Sequence, residues 1–265
     1  MHERERHRMI LRAVSETPVA TVGQLVELLE VSEATIRRDI HALHQQGKLR
    51  RVRGGAEALT PVNSPAALLG RPFLISQTIR VEQKAAIAAR AVAMCSPGDS
   101  IIIHGGSTTY QMAQFLKAHK MQIMTNSFPL AEVLVKHSEN NVVVPGGTIY
   151  REQNIILSPF ESDVIQNFYA SKVFVGAQGI NSTGLMENDP LVIQSEKRLI
   201  QQAERLVVLA DSSKFAQRSN MFLCRLEEID TLITDDGIDE AALNMLEQAD
   251  VTVIAVSANG APQAD

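Results

Sequence analysis

The chain has 265 residues, 45% of them hydrophobic, which suits one large domain or a small domain joined to a medium one with a proper core. No apolar run reaches the ~18 residues of a membrane helix, and no signal-peptide stretch follows the charged N-terminus, so a soluble cytosolic protein with no membrane partner is expected. The net charge of −5 is uneven: residues 1–60 carry ten Lys/Arg against eight Asp/Glu, and residues 61–265 carry fifteen against twenty-two.

Ile10, Leu11 and Val14 stand at helical spacing and predict a short amphipathic helix over 3–15, ended by Pro18. Thr21 can cap a second helix bearing Val22, Leu25, Val26, Leu28 and Leu29, and Ser32 a third from Glu33 to Gln46, stopped by Gly47. Residues 48–56 alternate basic and apolar around Gly54-Gly55, the pattern of a small hairpin. Three short helices and a basic hairpin suggest a winged helix-turn-helix over 1–58.

On a helical wheel Ile36, Ile40 and Leu43 share the buried side of the third helix, while Ala34, Arg38, His41 and Gln45 point away, flanked by Thr35 and Arg37. That arrangement anchors a recognition helix and frees Arg, Thr and His for a major groove. Within 32–53 six basic residues oppose two acidic ones, and the wing arginines Arg50, Arg51 and Arg53 would bind phosphates or a minor groove. With the capping residues Thr21 and Ser32, these form the expected DNA-facing set; Asp39, near the core edge, is expected to pair internally.

Pro61, Pro65, Gly70 and Pro72 mark 59–76 as a linker. From 77 to 257 helices alternate with short β-branched strands: helices near 78–95, 108–118, 127–137, 160–169, 190–204 and 239–248, and strands near 100–103, 121–125, 142–144, 172–176, 206–210, 229–233 and 251–255. This predicts an α/β domain with a mostly parallel sheet covered by helices on both faces, and 258–265 read as a frayed tail.

The strand at 100–103 runs into His104-Gly105-Gly106-Ser107-Thr108-Thr109 and then a helix. Glycines admit an anion, hydroxyls donate to it, and a helix start adds N–H groups. Thr125-Asn126-Ser127 and Gly146-Gly147 occupy the same end of the sheet, and Asp211-Ser212-Ser213-Lys214 brings a lysine toward it. Any one of these could be a plain turn; together they favour a small-molecule site.

Val31-Ser32-Glu33-Ala34-Thr35-Ile36-Arg37-Arg38-Asp39-Ile40, with Gly47-Lys48-Leu49 and Arg53-Gly54-Gly55-Ala56, closely resembles the N-terminal signature of DeoR-family bacterial transcriptional regulators. The stretches at 106–109, 125–127, 146–147 and 211–215 look like the effector-domain motifs of the same family, so the resemblance covers nearly the whole chain. It implies a fold similar to ribose-5-phosphate isomerase and glucosamine-6-phosphate deaminase, and a repressor of sugar or polyol catabolism that binds double-stranded operator DNA as a homo-oligomer and is released by a phosphorylated sugar. Carried over, Gly106, Ser107, Thr108 and Thr109 would hold the phosphate, Asn126 and Gly147 the sugar, and Lys214 an oxygen of either.

Two departures matter. His104 and Gln178 stand where the family often has aspartates, which would remove carboxylates from the pocket edge and ease binding of an effector with an acidic or enediol-like group. Residues 153–159 and 195–198 look similar to the ascorbate-utilisation regulators of the family; a hexitol or keto-sugar phosphate stays open.

An isomerase would need a general base and a partner acid, and His104 and Gln178 occupy the two positions where carboxylates would be sought. Glu187, Asp189, Glu196 and Asp211 are carboxylates that sequence alone does not place. No GxSxG, P-loop or paired metal ligands suggest another chemistry, and Cys95 and Cys224 make neither a disulfide framework nor a zinc site. The expectation is therefore a sensor without cofactor or metal, not an enzyme, with an activator or dual regulator as the alternative. Effector occupancy would reach the DNA-binding head through residues 57–80.

Overall fold

The computed structural model describes residues 3–16, 20–57, 72–160, 162–217 and 219–258. The chain divides into two compact units, Met1–Thr78 and Ile79–Asp265.

In the first unit α1 (Glu3–Glu16) is followed by β1 (Ala20–Thr21), α2 (Val22–Leu29), α3 (Glu33–Gln45), β2 (Arg50–Val52), β3 (Gly55–Glu57) and α4 (Phe73–Ser76). Ile10, Leu25, Ile36, Ile40, Leu43 and Leu49 are its core, each 2% exposed or less. The predicted hairpin is β2–β3. Sequence missed β1, a two-residue strand that pairs antiparallel with β3 to complete a three-stranded sheet in the order β1-β3-β2. Gly55 makes that pairing possible, because a Cβ there would lie 2.2 Å from the Ala20 carbonyl oxygen. Of the stretch expected as linker, 59–71 lie outside the described residues, and Phe73–Ser76 form one helical turn with Phe73 and Ile75 buried.

The second unit runs α5 (Val81–Val92), β4 (Ser100–Ile103), α6 (Ser107–Tyr110), β5 (Gln122–Thr125), α7 (Phe128–His137), β6 (Asn141–Val143), β7 (Thr148–Tyr150), β8 (Ile155–Leu157), β9 (Lys172–Val175), β10 (Gly179–Asn181), β11 (Gly184–Glu187), α8 (Pro190–Ile200), β12 (Leu206–Leu209), β13 (Met221–Cys224), β14 (Thr231–Asp235), α9 (Glu240–Gln248) and β15 (Thr252–Val256). Seven strands form one parallel sheet in the order β15-β14-β12-β9-β4-β5-β6. Alternate residues feed opposite faces. Ile102, Met124, Val173 and Val208 pack with Ile193, Leu199 and Leu246 from α8 and α9, while Ile101, Ile103, Phe174 and Val207 pack with Ile87, Leu130 and Leu134 from α5 and α7. The expected α/β fold, a mostly parallel sheet covered on both faces, is therefore present.

The chain builds β4, β5 and β6 toward one edge and then returns to place β9, β12, β14 and β15 on the other side of β4. The switch lies between β4 and β9, and such a reversal opens a crevice outside the carboxyl ends of the strands.

Three expectations fail locally. The helix expected over 160–169 is only a 3-10 turn, Val164–Asn167, started by the Asp163 carboxylate accepting the Ile165 N–H at 2.9 Å. The helix expected over 108–118 shrinks to α6 and a 3-10 turn at Gln111–Gln114. The β7–β8 hairpin and the antiparallel sheet β10-β11-β13 were not foreseen, because their short strands do not alternate with helices, the pattern that reveals the equally short parallel strands. The expected tail is described only at residue 258; the remainder lies outside the described residues.

Candidate functional site

In the head both α2 and α3 start on side-chain caps. Thr21 caps α2 with a capping box: its Oγ1 accepts the Gln24 N–H at 3.3 Å, and the Gln24 side-chain oxygen accepts the Thr21 N–H at 3.0 Å. Ser32 caps α3 by accepting the Thr35 N–H at 3.3 Å, and the two hydroxyls lie 2.8 Å apart. Ala34, Arg38, His41 and Gln45 are exposed together on α3, and Thr35 is half-buried beside them. Asp39 is 4% exposed and pairs internally, as expected, accepting from Arg6 Nε at 2.8 Å and lying 3.2 Å from His7 Nε2. This fixes α3 against α1.

Arg37 is ion-paired with Glu33, and Arg50 with Glu57. Both arginines are exposed, and exchanging such a partner for a phosphate costs little. Among the described residues Arg38, Arg51 and Arg53 enter no ion pair, and all three are exposed.

In the second unit the loop after β4 is held from several sides. Gly105 donates its N–H to Asn126 Oδ1 at 2.8 Å, and Asn126 Nδ2 donates to Ser195 Oγ at 2.9 Å, so one side chain ties the β4 loop, the β5 loop and α8. Thr109 Oγ1 donates to the His104 carbonyl at 2.7 Å, and Thr125 Oγ1 to the Ile103 carbonyl at 2.6 Å. Ser127 Oγ caps α7 by accepting the Leu130 N–H at 3.3 Å. Thr109, Thr125 and Asn126 are all 0% exposed. They shape the loop from within, and Thr108 and Ser127 are buried with them. Gly105, Gly106 and Ser107 remain half-open at the switch point.

Gly146 and Gly147 are exposed. The second strand of their hairpin packs on both loops: the Ile156 N–H donates to the Asn126 carbonyl at 2.7 Å, and a Cβ on Gly105 would lie 2.2 Å from Ile155 Cγ2. Ser195 also lines a cavity of about 230 Å³ with Thr148, Ser158, Gln194 and Arg198.

Sequence reading missed Lys84. It is 3% exposed, and its Nζ donates to Ser107 Oγ at 3.0 Å, which sets a cation against the glycine-hydroxyl loop. The signal was present: Lys84, Ile87, Ala88 and Ala91 are all buried at the spacing i, i+3, i+4, i+7, so this lysine interrupts an apolar stripe.

His104, 1% exposed, lies with Nδ1 3.0 Å from Glu196 Oε1, although not at a hydrogen-bonding angle; His104 Nε2 and Glu196 Oε2 have no hydrogen-bond partner among the described residues. Burial and the neighbouring Glu196 charge push the Glu187 carboxyl up to about 8, with Asp189 adding to the rise; the Asn188 N–H and the Lys214 charge oppose it. Asp189 caps α8 and accepts the Tyr150 hydroxyl at 2.6 Å. Gln178 and Lys214 are both half-buried; Lys214 stands in the 3-10 turn Ser212–Phe215. Glu196 thus brings a carboxylate from α8 to His104, whereas Glu187, on β11, is held largely protonated at neutral pH and adds little negative charge. Burial also raises the thiols of Cys95 to about 11 and Cys224 to about 12, the reverse of an activated thiolate.

Residues 6–62 match the DeoR-like helix-turn-helix domain, and residues 79–236 match the DeoR C terminal sensor domain. The chain belongs to the DeoR family. Among similar proteins, the HTH-type transcriptional regulator UlaR of Shigella dysenteriae serotype 1 (strain Sd197) is 35% identical over 257 residues, 97% of this chain and 100% of the relative. UlaR of Escherichia coli (strain K12 / DH10B) is 34% identical over the same shares. Among solved structures, ribose 5-phosphate isomerase A of Methanocaldococcus jannaschii has a TM-score of 0.38 at 20% identity, covering 50% of this chain and 53% of that one. Pyrococcus horikoshii OT3 translation initiation factor eIF-2B reaches 0.40 at 19% identity, covering 80% of each. These structural likenesses are too distant to bear on the chemistry of this chain. The protein is a DeoR-type helix-turn-helix transcriptional regulator with a sensor unit, and no described helix is long and apolar enough to cross a membrane.

Proposed function

We propose that this DeoR-family regulator represses a sugar or polyol catabolism operon and is released from its operator by a phosphorylated sugar. The observation that carries the reading is Lys84 Nζ, buried and 3.0 Å from Ser107 Oγ, at the half-open Gly105–Ser107 loop. A half-open glycine loop with a hydroxyl and a buried cation suits a phosphate dianion, whose oxygens would accept from the hydroxyl and the ammonium. Lys214 and Gln178 flank the crevice, and the framework of His104, Thr108, Thr109, Thr125, Asn126 and Ser127 keeps it in shape. On the operator, Arg38, His41, Ala34 and Thr35 meet the major groove, Arg37 and the caps Thr21 and Ser32 lie at the backbone, and Arg50, Arg51 and Arg53 meet phosphates or a minor groove.

Recognising paired or repeated half-sites needs two heads, so the working form is a homo-oligomer. Full-length similarity to regulators named UlaR, with the resemblance of 153–159 and 195–198 to ascorbate-utilisation regulators, makes ascorbate 6-phosphate the first effector to try. The domain division follows the same reading: a head over 1–58, a linker over 59–76 and a sensor over 77–257. The site senses and does not turn over its ligand.

The test is a reporter fused to the operon's upstream region in a strain lacking the gene. Raised expression supports repression, whereas lowered expression means an activator using the same contacts. Product formed from any phosphosugar by the purified protein would make it an enzyme.

A further inference from the structure

Helix α5 starts two residues into the sensor unit, and two cations at its start, Arg80 before it and Lys84 within it, reach two different strand-end loops. Lys84 reaches the β4 loop through Ser107 Oγ at 3.0 Å. Arg80, immediately before the helix, reaches the ends of β12 and β14. Its Nη1 donates to Ser212 Oγ at 3.3 Å and lies 3.9 Å from Asp235 Oδ2, and its Nε lies 3.6 Å from Asp211 Oδ1. Both carboxylates are buried, at 2% and 3% exposure, while the Arg80 side chain that meets them is 39% exposed. Asp211 also caps the 3-10 turn that bears Lys214, by accepting the Ser213 N–H at 3.1 Å.

The Arg80 backbone is left-handed, φ 53° and ψ 46°, a region costly for a residue with a Cβ. Such a conformation persists when its surroundings over-determine it. Here the side-chain contacts hold it on one side. On the other the Arg80 carbonyl accepts the Lys84 N–H at 3.0 Å, the first hydrogen bond of α5. The residue where the chain enters the sensor is thus strained, tethered and one hydrogen bond from the lysine that faces the phosphate loop.

We propose that this turn is the relay between effector and operator: a phosphate on the Gly105–Ser107 loop draws Lys84, a sugar engages the Lys214 turn capped by Asp211, and Arg80 converts either event into a change at the start of the sensor unit. The inference rests on the phosphorylated-effector reading above and adds to it a positioning residue that touches neither ligand nor DNA. Two arrangements of Arg80, held against Asp211 and Asp235 or released from them, would be the two states that both ligands bias.

The experiment uses the full-length Arg80→Gln protein and the compound among ascorbate 6-phosphate, a hexitol 6-phosphate and a ketose phosphate that most weakens wild-type operator binding. Operator affinity is measured with and without that compound, and binding of the compound is measured separately by calorimetry. Allosteric coupling commonly changes affinity about 5- to 150-fold. The expected result is that this ratio falls toward one in Arg80→Gln while the variant still binds operator and compound. Asp235→Asn, which leaves Arg80 in place and removes one carboxylate, is expected to lose coupling in the same way and covers the case of a poorly folding Arg80 variant. A wild-type ratio in both variants overturns the relay, as does a loss of compound binding in Arg80→Gln from a protein with a normal melting curve. If no phosphosugar loosens the wild-type protein, the effector reading itself falls and takes the relay with it.

Discussion

Asn126 and Gly105 are joined by a hydrogen bond of 2.8 Å from the backbone N–H of the glycine to the side-chain oxygen of the asparagine, whose nitrogen in turn donates to Ser195. Asn126 is 0% exposed, so it acts as a strut beneath the loop. Asn126→Ala would leave the half-buried Gly105 N–H without its acceptor, a loss of about 1 kcal/mol. The expected outcome is a lower melting temperature with a weakened response to phosphosugar, read by thermal denaturation and operator release. An unchanged melting temperature would remove the strut.

Gly105→Ala tests the same loop from above. The new Cβ would lie 2.2 Å from Cγ2 of Ile155, whose side chain is fully buried and has nowhere to turn. Overpacking of this kind costs about 1–3 kcal/mol, and here the loop is the part able to shift. Release by phosphosugar should be lost while operator binding persists. A variant that still responded normally would show that the loop does not read the effector.

In the head, Arg38 and Asp39 are neighbours with opposite predicted phenotypes. Arg38→Ala removes an exposed side chain, so the melting temperature should hold while operator affinity falls by about 1–3 kcal/mol, the worth of a good base contact. Asp39→Ala removes the partner of Arg6 and His7 and should lower the melting temperature of the head, with operator binding falling in step. Arg53→Ala should weaken binding uniformly across sequences and reduce the salt slope by about one. Equal melting losses in Arg38→Ala and Asp39→Ala would contradict this division.

Glu187 predicts a pH dependence of stability. Its folded-state carboxyl titrates near 8, against 4.5 for an unperturbed glutamate. The folded protein therefore binds this proton more tightly than the unfolded chain, and between those values stability falls as pH rises, by at most about 1.4 kcal/mol per pH unit. Below about 4.5 the group contributes no slope, and above about 8 its destabilisation is complete. Glu187→Gln should flatten the curve and raise the melting temperature at pH 8 more than at pH 6. An unchanged slope in the variant would assign the dependence to other groups.

Much of this arrangement was legible in the sequence, for identifiable reasons. Ile36, Ile40 and Leu43 at helical spacing placed α3, and short apolar runs alternating with helical patterns placed the seven parallel strands. The Gly-Gly-Ser-Thr-Thr loop stood out because glycines and hydroxyls before a helix carry local chemistry. Lys84 was hidden by looking like any lysine of an amphipathic helix, although the stripe it interrupts was readable. Arg80, Glu187 and Glu196 depend on tertiary placement: the sheet order brings β12 and β14 to Arg80, and α8 brings Glu196 to His104, neither of which any local spacing encodes. The burial of Thr109, Thr125 and Asn126 beneath the loop was not legible either, because sequence distinguishes a polar loop residue from an apolar one but not its inner side from its outer.

The most direct measurement is fluorescence anisotropy of the full-length protein on the DNA upstream of its operon, titrated with phosphosugars and with the corresponding free sugars. The account predicts tight binding that one phosphorylated compound releases and its unphosphorylated counterpart leaves intact. Release by the free sugar at equal concentration would contradict the phosphate reading of Ser107 and Lys84, and failure to bind the DNA would contradict the head.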